Sequence, residues 1–367
     1  MSLTLPSLLS AVAQSVPWMQ DRAETLDRDA AFPDQEIERL HRLGALTMPL
    51  PVQGNGRNET LADALAALLV LAGQGNLSVG CVLEAHVNTM HLVARYGTEA
   101  QRREVDAAAR DGCLFGLWVT DPPQGGLRMT RAGGRVLLRG AKRFCSSAGH
   151  AGGALVTAQD DDGDTRMLVL RLAIGERISP LPAPLQGMRA STAGAVDFTG
   201  CEVAASAILG APGDYLREPD FSAGAWRGSA VALGGLIALL DAAVRQLRES
   251  GRLDSPHGQA RIGQAIIARE TCRLWVRSAA RMAEDPTADA AQRVATAGLG
   301  RLAVEAACLD AMRLVQRSLD LSAFRQGSPV ERVCRDLSTY LRQPAPDEVL
   351  TEAAAWFAAN PEAMVMA

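Results

Sequence analysis

The stretch Leu114-Phe-Gly-Leu-Trp-Val-Thr-Asp-Pro-Pro-Gln-Gly-Gly126 places a hydroxyl, Thr120, and a carboxylate, Asp121, where an apolar run of strand character breaks against two prolines and two glycines. Side chains at such a corner leave the ladder, so they can face a ligand or cap the strand end. Further on, Gly140-Ala-Lys-Arg-Phe-Cys-Ser146 sets a second hydroxyl two residues after an aromatic ring. Other reactive patterns are missing. No Gly-x-Gly-x-x-Gly or Walker loop follows a strand, and no nucleophile elbow occurs. The histidines are His41, His86, His91, His150 and His257; no two stand at i, i+4, and His86 and His91 fall on different helix faces, which argues against metal catalysis. The seven cysteines are odd in number, widely spaced and without a Cys-x-x-Cys, so they read as buried thiols in a reducing compartment. Asp160-Asp-Asp-Gly-Asp164 lacks the glutamate that closes a calcium loop and reads as a hairpin turn.

These groups must be held by elements whose periods the sequence shows. Residues 1 to 112 read as helices: Asp34 starts one that Gly44 stops, Leu61 to Leu71 is apolar enough to be buried, and the run from Leu77 ends at Tyr96-Gly97. Thr98-Glu-Ala-Gln101 is a capping box that starts the next helix. From Cys113 to about Gly210 the period shortens to two, with β-type runs at Val136-Leu-Leu138, Ala154 to Ala158, Met167 to Leu172 and Ala195 to Phe198. After Pro212 helical spacing returns in five alanine-rich stretches, Ala225 to Leu247, Gln259 to Met282, Ala288 to Leu319, Pro329 to Leu341 and Asp347 to Ala359. The expected organisation is an N-terminal helical domain (1–112), a central β domain of barrel-like or sandwich form (113–211) and a C-terminal helical bundle (212–367). That is an α+β chain of 367 residues, long enough for more than one core. Hydrophobic residues at 48%, charged residues at 21% and a net charge of −4 with interspersed signs exclude a nucleic-acid footprint. The absence of an uninterrupted apolar run and of an early basic region predicts no membrane span, no secretory signal and a cytoplasmic protein.

Four strings, in order along the chain, carry a resemblance to the acyl-CoA dehydrogenase superfamily. Thr120-Asp-Pro-Pro-Gln-Gly-Gly126 is similar to its Thr-Glu-Pro signature, and Gly140-Ala-Lys-Arg-Phe-Cys-Ser146 to its Gly-x-Lys-x-Phe/Trp element. Val196-Asp-Phe to Ile208-Leu-Gly210 is similar to the exit of its β domain, and Pro329-Val-Glu-Arg-Val-Cys-Arg-Asp336 to the start of its last bundle segment. The resemblance implies a helix, β domain and four-helix bundle order, and a flavin, FAD with FMN not excluded. Along the edge of that flavin Thr120 and Ser146 would place hydroxyls and Phe144 an aromatic cover. It also implies a homodimer or homotetramer built through the C-terminal helices, and an arginine at the end of the first bundle helix, here Arg252, for the cofactor's pyrophosphate.

The departures bear on chemistry. In a dehydrogenase of this kind a carboxylate removes the proton beside the carbonyl, and its two usual positions are here Pro344 and Trp226, neither of which can do so. Asp347 follows in sequence and reads as a solvated helix start. Ser-Asp after the corner is missing, which weakens the expectation of a CoA thioester. The string from Leu321 to Asp336 looks more like the flavin monooxygenase branch, for which His86 and Ser146 would be the catalytic residues, although a lone histidine among Val82, Val87, Leu92 and Val93 is also a core group. The glycine-rich backbone and aromatic that normally hold the cofactor are reduced to Gly327-Ser328 and Leu253-Asp-Ser-Pro-His257, consistent with weak or transient flavin. The expected function is a flavin-dependent oxidoreductase outside standard β-oxidation, taking a small molecule or an acyl thioester, with a flavin reductase or electron-transfer protein as partner. A monooxygenase and a non-catalytic binding or assembly subunit are the alternatives.

Overall fold

Five helices precede the first strand in the computed structural model, which describes residues 4–49, 59–181 and 183–364. They are α1 (Leu5–Asp29), α2 (Asp34–Leu43), α3 (Glu59–Gly75), α4 (Leu77–Tyr96) and α5 (Glu99–Arg110). Local chemistry sets their ends. Asn76 caps α4 by accepting the Ser78 N–H, and α5 carries the expected capping box, the Thr98 hydroxyl receiving the Gln101 N–H while the Gln101 side chain receives the Thr98 N–H. Asp34 is the first residue of α2, which starts without a side-chain cap.

Ten strands follow: β1 (Phe115–Trp118), β2 (Arg128–Ala132), β3 (Arg135–Arg139), β4 (Ala141–Cys145), β5 (Gly153–Gln159), β6 (Thr165–Arg171), β7 (Ile178–Pro180), β8 (Gly194–Asp197), β9 (Glu202–Ala204) and β10 (Ile208–Leu209). One sheet runs β10-β6-β5-β2-β3-β9, with β1 parallel to β5; a smaller one runs β4-β8-β7. Strand alternation explains how they pack. On β5, Ala154, Val156 and Ala158 face the core between the sheets with Trp118, Leu138 and Phe198, while Leu155 faces Met90, Val93 and Val105 of the helices. Both faces of β5 are therefore covered, and its sequence is apolar at nearly every position. The Asp160 tract is the turn between β5 and β6, its first carboxylate accepting the Asp162 and Asp164 N–H groups.

The C-terminal helices are α6 (Trp226–Glu249), α7 (Pro256–Glu284), α8 (Ala290–Leu319), α9 (Pro329–Tyr340) and α10 (Pro346–Ala359). The segment Ala223–Glu249 is long and apolar enough in composition to cross a bilayer, and it is mostly buried within the fold. Its Leu233, Leu236 and Leu239 pack in the helical core. Glycines also bring α6 close to α3 and α4. A methyl group on Gly73 of α3 would run into the Val231 carbonyl, one on Gly234 into the Val70 carbonyl, and one on Gly80 of α4 into the Val231 side chain. At the far side, Asp336 of α9 accepts the Met188 N–H at 2.6 Å and lies 3.6 Å from Arg332, fixing the strand-connecting loop against the helices.

Candidate active site

The corner after β1 is held from beneath. Lys142 of β4 is 1% exposed and sends Nζ to Asp121 Oδ1 (2.6 Å), Thr157 Oγ1 (3.0 Å) and the Val119 carbonyl (3.2 Å). Burial lowers the lysine pKa, and the Asp121 carboxylate opposes that shift. The same carboxylate accepts the Leu127 N–H, and the Arg143 N–H reaches the Thr120 carbonyl at 2.9 Å. Asp121 is thus an anchor for the corner, and Thr120 is left at the exposed surface next to β4.

Phe144 is turned out of the β-domain core. The β4–β8 register is irregular between Lys142 and Cys145, Phe144 has φ of 53°, and the bulge turns its side chain outward to 42% exposure, with the Arg143 guanidinium 4.8 Å over the ring. An exposed aromatic face beside an exposed hydroxyl suits a planar ligand. Phe144→Ala should therefore alter folding stability by only about 1 kcal/mol while weakening flavin retention; denaturation and flavin titration of the same variant check both halves. Ser146, half-buried, joins this edge to α4: its carbonyl accepts the Trp118 indole N–H at 2.9 Å and its hydroxyl lies 3.6 Å from the Cys81 sulfur. Burial pushes the Cys81 thiol up to about 12, so it is not a thiolate nucleophile.

A cavity of about 850 Å³ lies beyond Cys81, between α4, the first turns of α6 and α8, the end of α9 and α10, and it reaches Leu117 of β1. The titratable group that sequence reasoning missed is Glu84. It lines this cavity, and burial raises its carboxyl pKa against the pull of the Asn88 amide and Arg227. The hydrogen-bond directions follow from donor inventory. Arg227, which can only donate, gives Nη1 to Asn88 Oδ1 (3.0 Å) and Nη2 to Glu284 (2.7 Å), so the Asn88 amide donates to Glu84 Oε1 (2.5 Å). Above it stands Tyr340 of α9, whose buried hydroxyl has no partner among the described residues. Burial raises the phenol pKa well above its ordinary value, and the Glu84 charge adds to that; Tyr215 is pushed up to about 12 for the same two reasons. On the cavity wall, burial would raise Asp220, but hydrogen bonds from His91, Tyr96 and Arg95 hold it well below the usual carboxylate range.

The other expected site residues are placed differently. His86 is fully buried away from the cavity lining: Nε2 lies 2.9 Å from the Leu46 carbonyl and Nδ1 accepts the Phe115 N–H at 3.1 Å. With both nitrogens engaged and burial lowering its pKa to about 4, it joins α4 to β1 from within the core. Trp226 is fully buried in the helical core, under the Arg227 guanidinium. Pro344 lines the cavity, whereas Asp347 and Glu348 are exposed in the first turn of α10, outside that lining. Arg252 binds the Ser318 carbonyl (2.8 Å) and Asp320 (2.7 Å) at the end of α8. One signal for Glu84 was present: it is the lone acid in the apolar stretch Leu77–Tyr96, where a carboxylate is costly without a purpose.

Residues 12–109 match the family described as Acyl-CoA dehydrogenase, N-terminal domain. Glutaryl-CoA dehydrogenase of Desulfococcus multivorans is 27% identical over 340 residues, spanning 87% of this chain and 86% of that protein. A solved glutaryl-coenzyme A dehydrogenase in complex with glutaryl-CoA superposes with a TM-score of 0.83 at 21% identity, covering 98% of this chain and 96% of the other. Residues 12–109 thus carry the N-terminal domain of the acyl-CoA dehydrogenase family, and the whole chain has the acyl-CoA dehydrogenase-like fold. FMN-bound TdsC from Paenibacillus sp. A11-2 superposes with a TM-score of 0.85 at 16% identity, covering 96% and 97%, so this superfamily fold also matches that of a protein described as a dibenzothiophene monooxygenase. The helix that supplies Glu84 lies within the residues that match the family's N-terminal domain.

Proposed function

We propose that the protein is a flavin-dependent oxidoreductase acting on a small, largely apolar substrate, with Glu84 as its proton-handling residue. The observation that carries this reading is the Glu84 carboxyl, set in the cavity wall and oriented by the Asn88 amide. The residues present fit a flavin: the exposed Phe144 face, the exposed Thr120 hydroxyl and the half-buried Ser146 hydroxyl lie on neighbouring, mutually bonded segments, and Ser146 adjoins the α4 turn that carries Cys81 and Glu84. A bound flavin would accept a hydride or, once reduced, engage oxygen. The chain's own contribution is to orient the substrate against Leu117 and Tyr340, exclude water, and take or give a proton at Glu84.

The raised pKa of Glu84 also favours a second reading, monooxygenation, because a carboxyl that keeps its proton can donate one to a departing oxygen. The reactions separate by spectroscopy. A dehydrogenase bleaches its flavin anaerobically when given substrate alone, whereas a monooxygenase needs an external flavin reductase and reoxidises rapidly in air. A purified protein that takes up neither FAD nor FMN would overturn both and favour a binding or assembly subunit. Exposed Ile266, Ile267 and Leu274 on α7 support a dimer or tetramer through the C-terminal helices, measurable by light scattering.

A further inference from the structure

Two arginines line the cavity, and they are treated differently by the fold. Arg227 is paired with Glu284 and bonded to Asn88. Arg301 of α8 gives one bond, Nη2 to the Pro344 carbonyl at 3.0 Å; its Nε is buried without an acceptor, and among the described residues it forms no ion pair. The nearby Glu305 is engaged by Arg342 at 3.1 Å. Glu218 and Glu352, also on the lining, are exposed and therefore screened by solvent. Burial depresses the Arg301 pKa, and Glu305 only partly offsets this.

Arg301 is half-buried in the cavity wall, with Nε sealed from water and unbonded, and its remaining donors can turn to a ligand in the cavity. Around it the lining is apolar, including Val294, Val304, Val349 and Trp356. We infer that the cavity takes a small acid, with an apolar body lying toward Tyr340 and a terminal carboxylate bonded to Arg301. A single planar fork matches a carboxylate through paired N–H donors, whereas a phosphate dianion calls for more positive charge than this wall carries. The inference rests on the functional reading above, since it names the substrate class of the same cavity, but its test does not involve flavin.

The full-length protein is titrated calorimetrically with octanoate and, separately, with octanol, which has the same body without the charge. Octanoate should bind at least roughly ten-fold more tightly, the scale of charge-assisted hydrogen bonds. Arg301→Met should abolish that preference and Arg301→Lys should keep part of it. Arg301→Lys and the wild-type comparison remain informative if the methionine variant does not fold. Equal binding of the two probes by wild type, failure of octanoate to bind, or a preference that survives Arg301→Met would overturn the inference. A protein that prefers octanoate through Arg301 yet takes up no flavin would instead sink the functional reading alone.

Discussion

Replacing Glu84 with glutamine is expected to lower turnover by roughly 100- to 10,000-fold, the contribution of a positioned proton-transfer group, while leaving flavin uptake unchanged. Glutamine keeps the shape and can still accept from Asn88, so the Arg227–Asn88 arrangement should survive. Single-turnover flavin reduction with saturating substrate measures this step, and unchanged rates in the variant would place proton handling elsewhere. The pH dependence gives the direction of transfer. Burial raises the Glu84 pKa, so the carboxyl keeps its proton to a pH above the ordinary carboxylate range. If it acts as a base, the rate climbs as pH rises through that raised value; if it acts as an acid, the rate falls there. The stability sign is fixed either way. In this window the folded chain holds a proton that the unfolded chain has released, so raising the pH through it removes stability.

Asp336→Ala is expected to cost about 3–5 kcal/mol, because it strands a buried charge. Arg332 and Asp336 are both buried, and Asp336 is the acid within ion-pair distance of Arg332. Arg335 keeps Asp27 and Glu331 and is much less affected. The substitution also orphans the Met188 N–H. Asp336→Asn retains an acceptor for that group and should cost less. Urea-induced unfolding of the two variants separates the charge from the hydrogen bond, and near-wild-type stability of the alanine variant would show that Arg332 finds water instead.

What was legible in the sequence was local. The bounds of α4 and the α5 capping box follow from residues a few positions apart, and the strand runs of β5 and β6 from a period of two. The corner and the Lys142 strand were also visible as motifs, although the motif did not say that Asp121 is spent on Lys142. The exposure of Phe144 was hidden because a positive φ at a bulge is imposed by pairing with β8, not by the residue itself. Glu84, Tyr340 and Arg301 come from three different helices, and nothing in their separate neighbourhoods announces that they share one cavity. His86 shows the converse: its type suggested proton transfer, and only the fold reveals that its two ring nitrogens meet the backbone of Leu46 and Phe115.

The glycine contacts of α3, α4 and α6 make adaptability of the cavity one-sided. Where backbone rests on backbone, no side chain can be trimmed to gain room, and adding even a methyl collides with a carbonyl or with Val231. The wall carrying Glu84 and Arg227 is consequently fixed in position. The opposite wall is built from Val294, Val349, Ala353 and Trp356, side chains whose size can change singly without moving a helix axis. Divergence of substrate preference among descendants of this chain, or in a laboratory selection, should accumulate on α8 and α10 and spare the glycines.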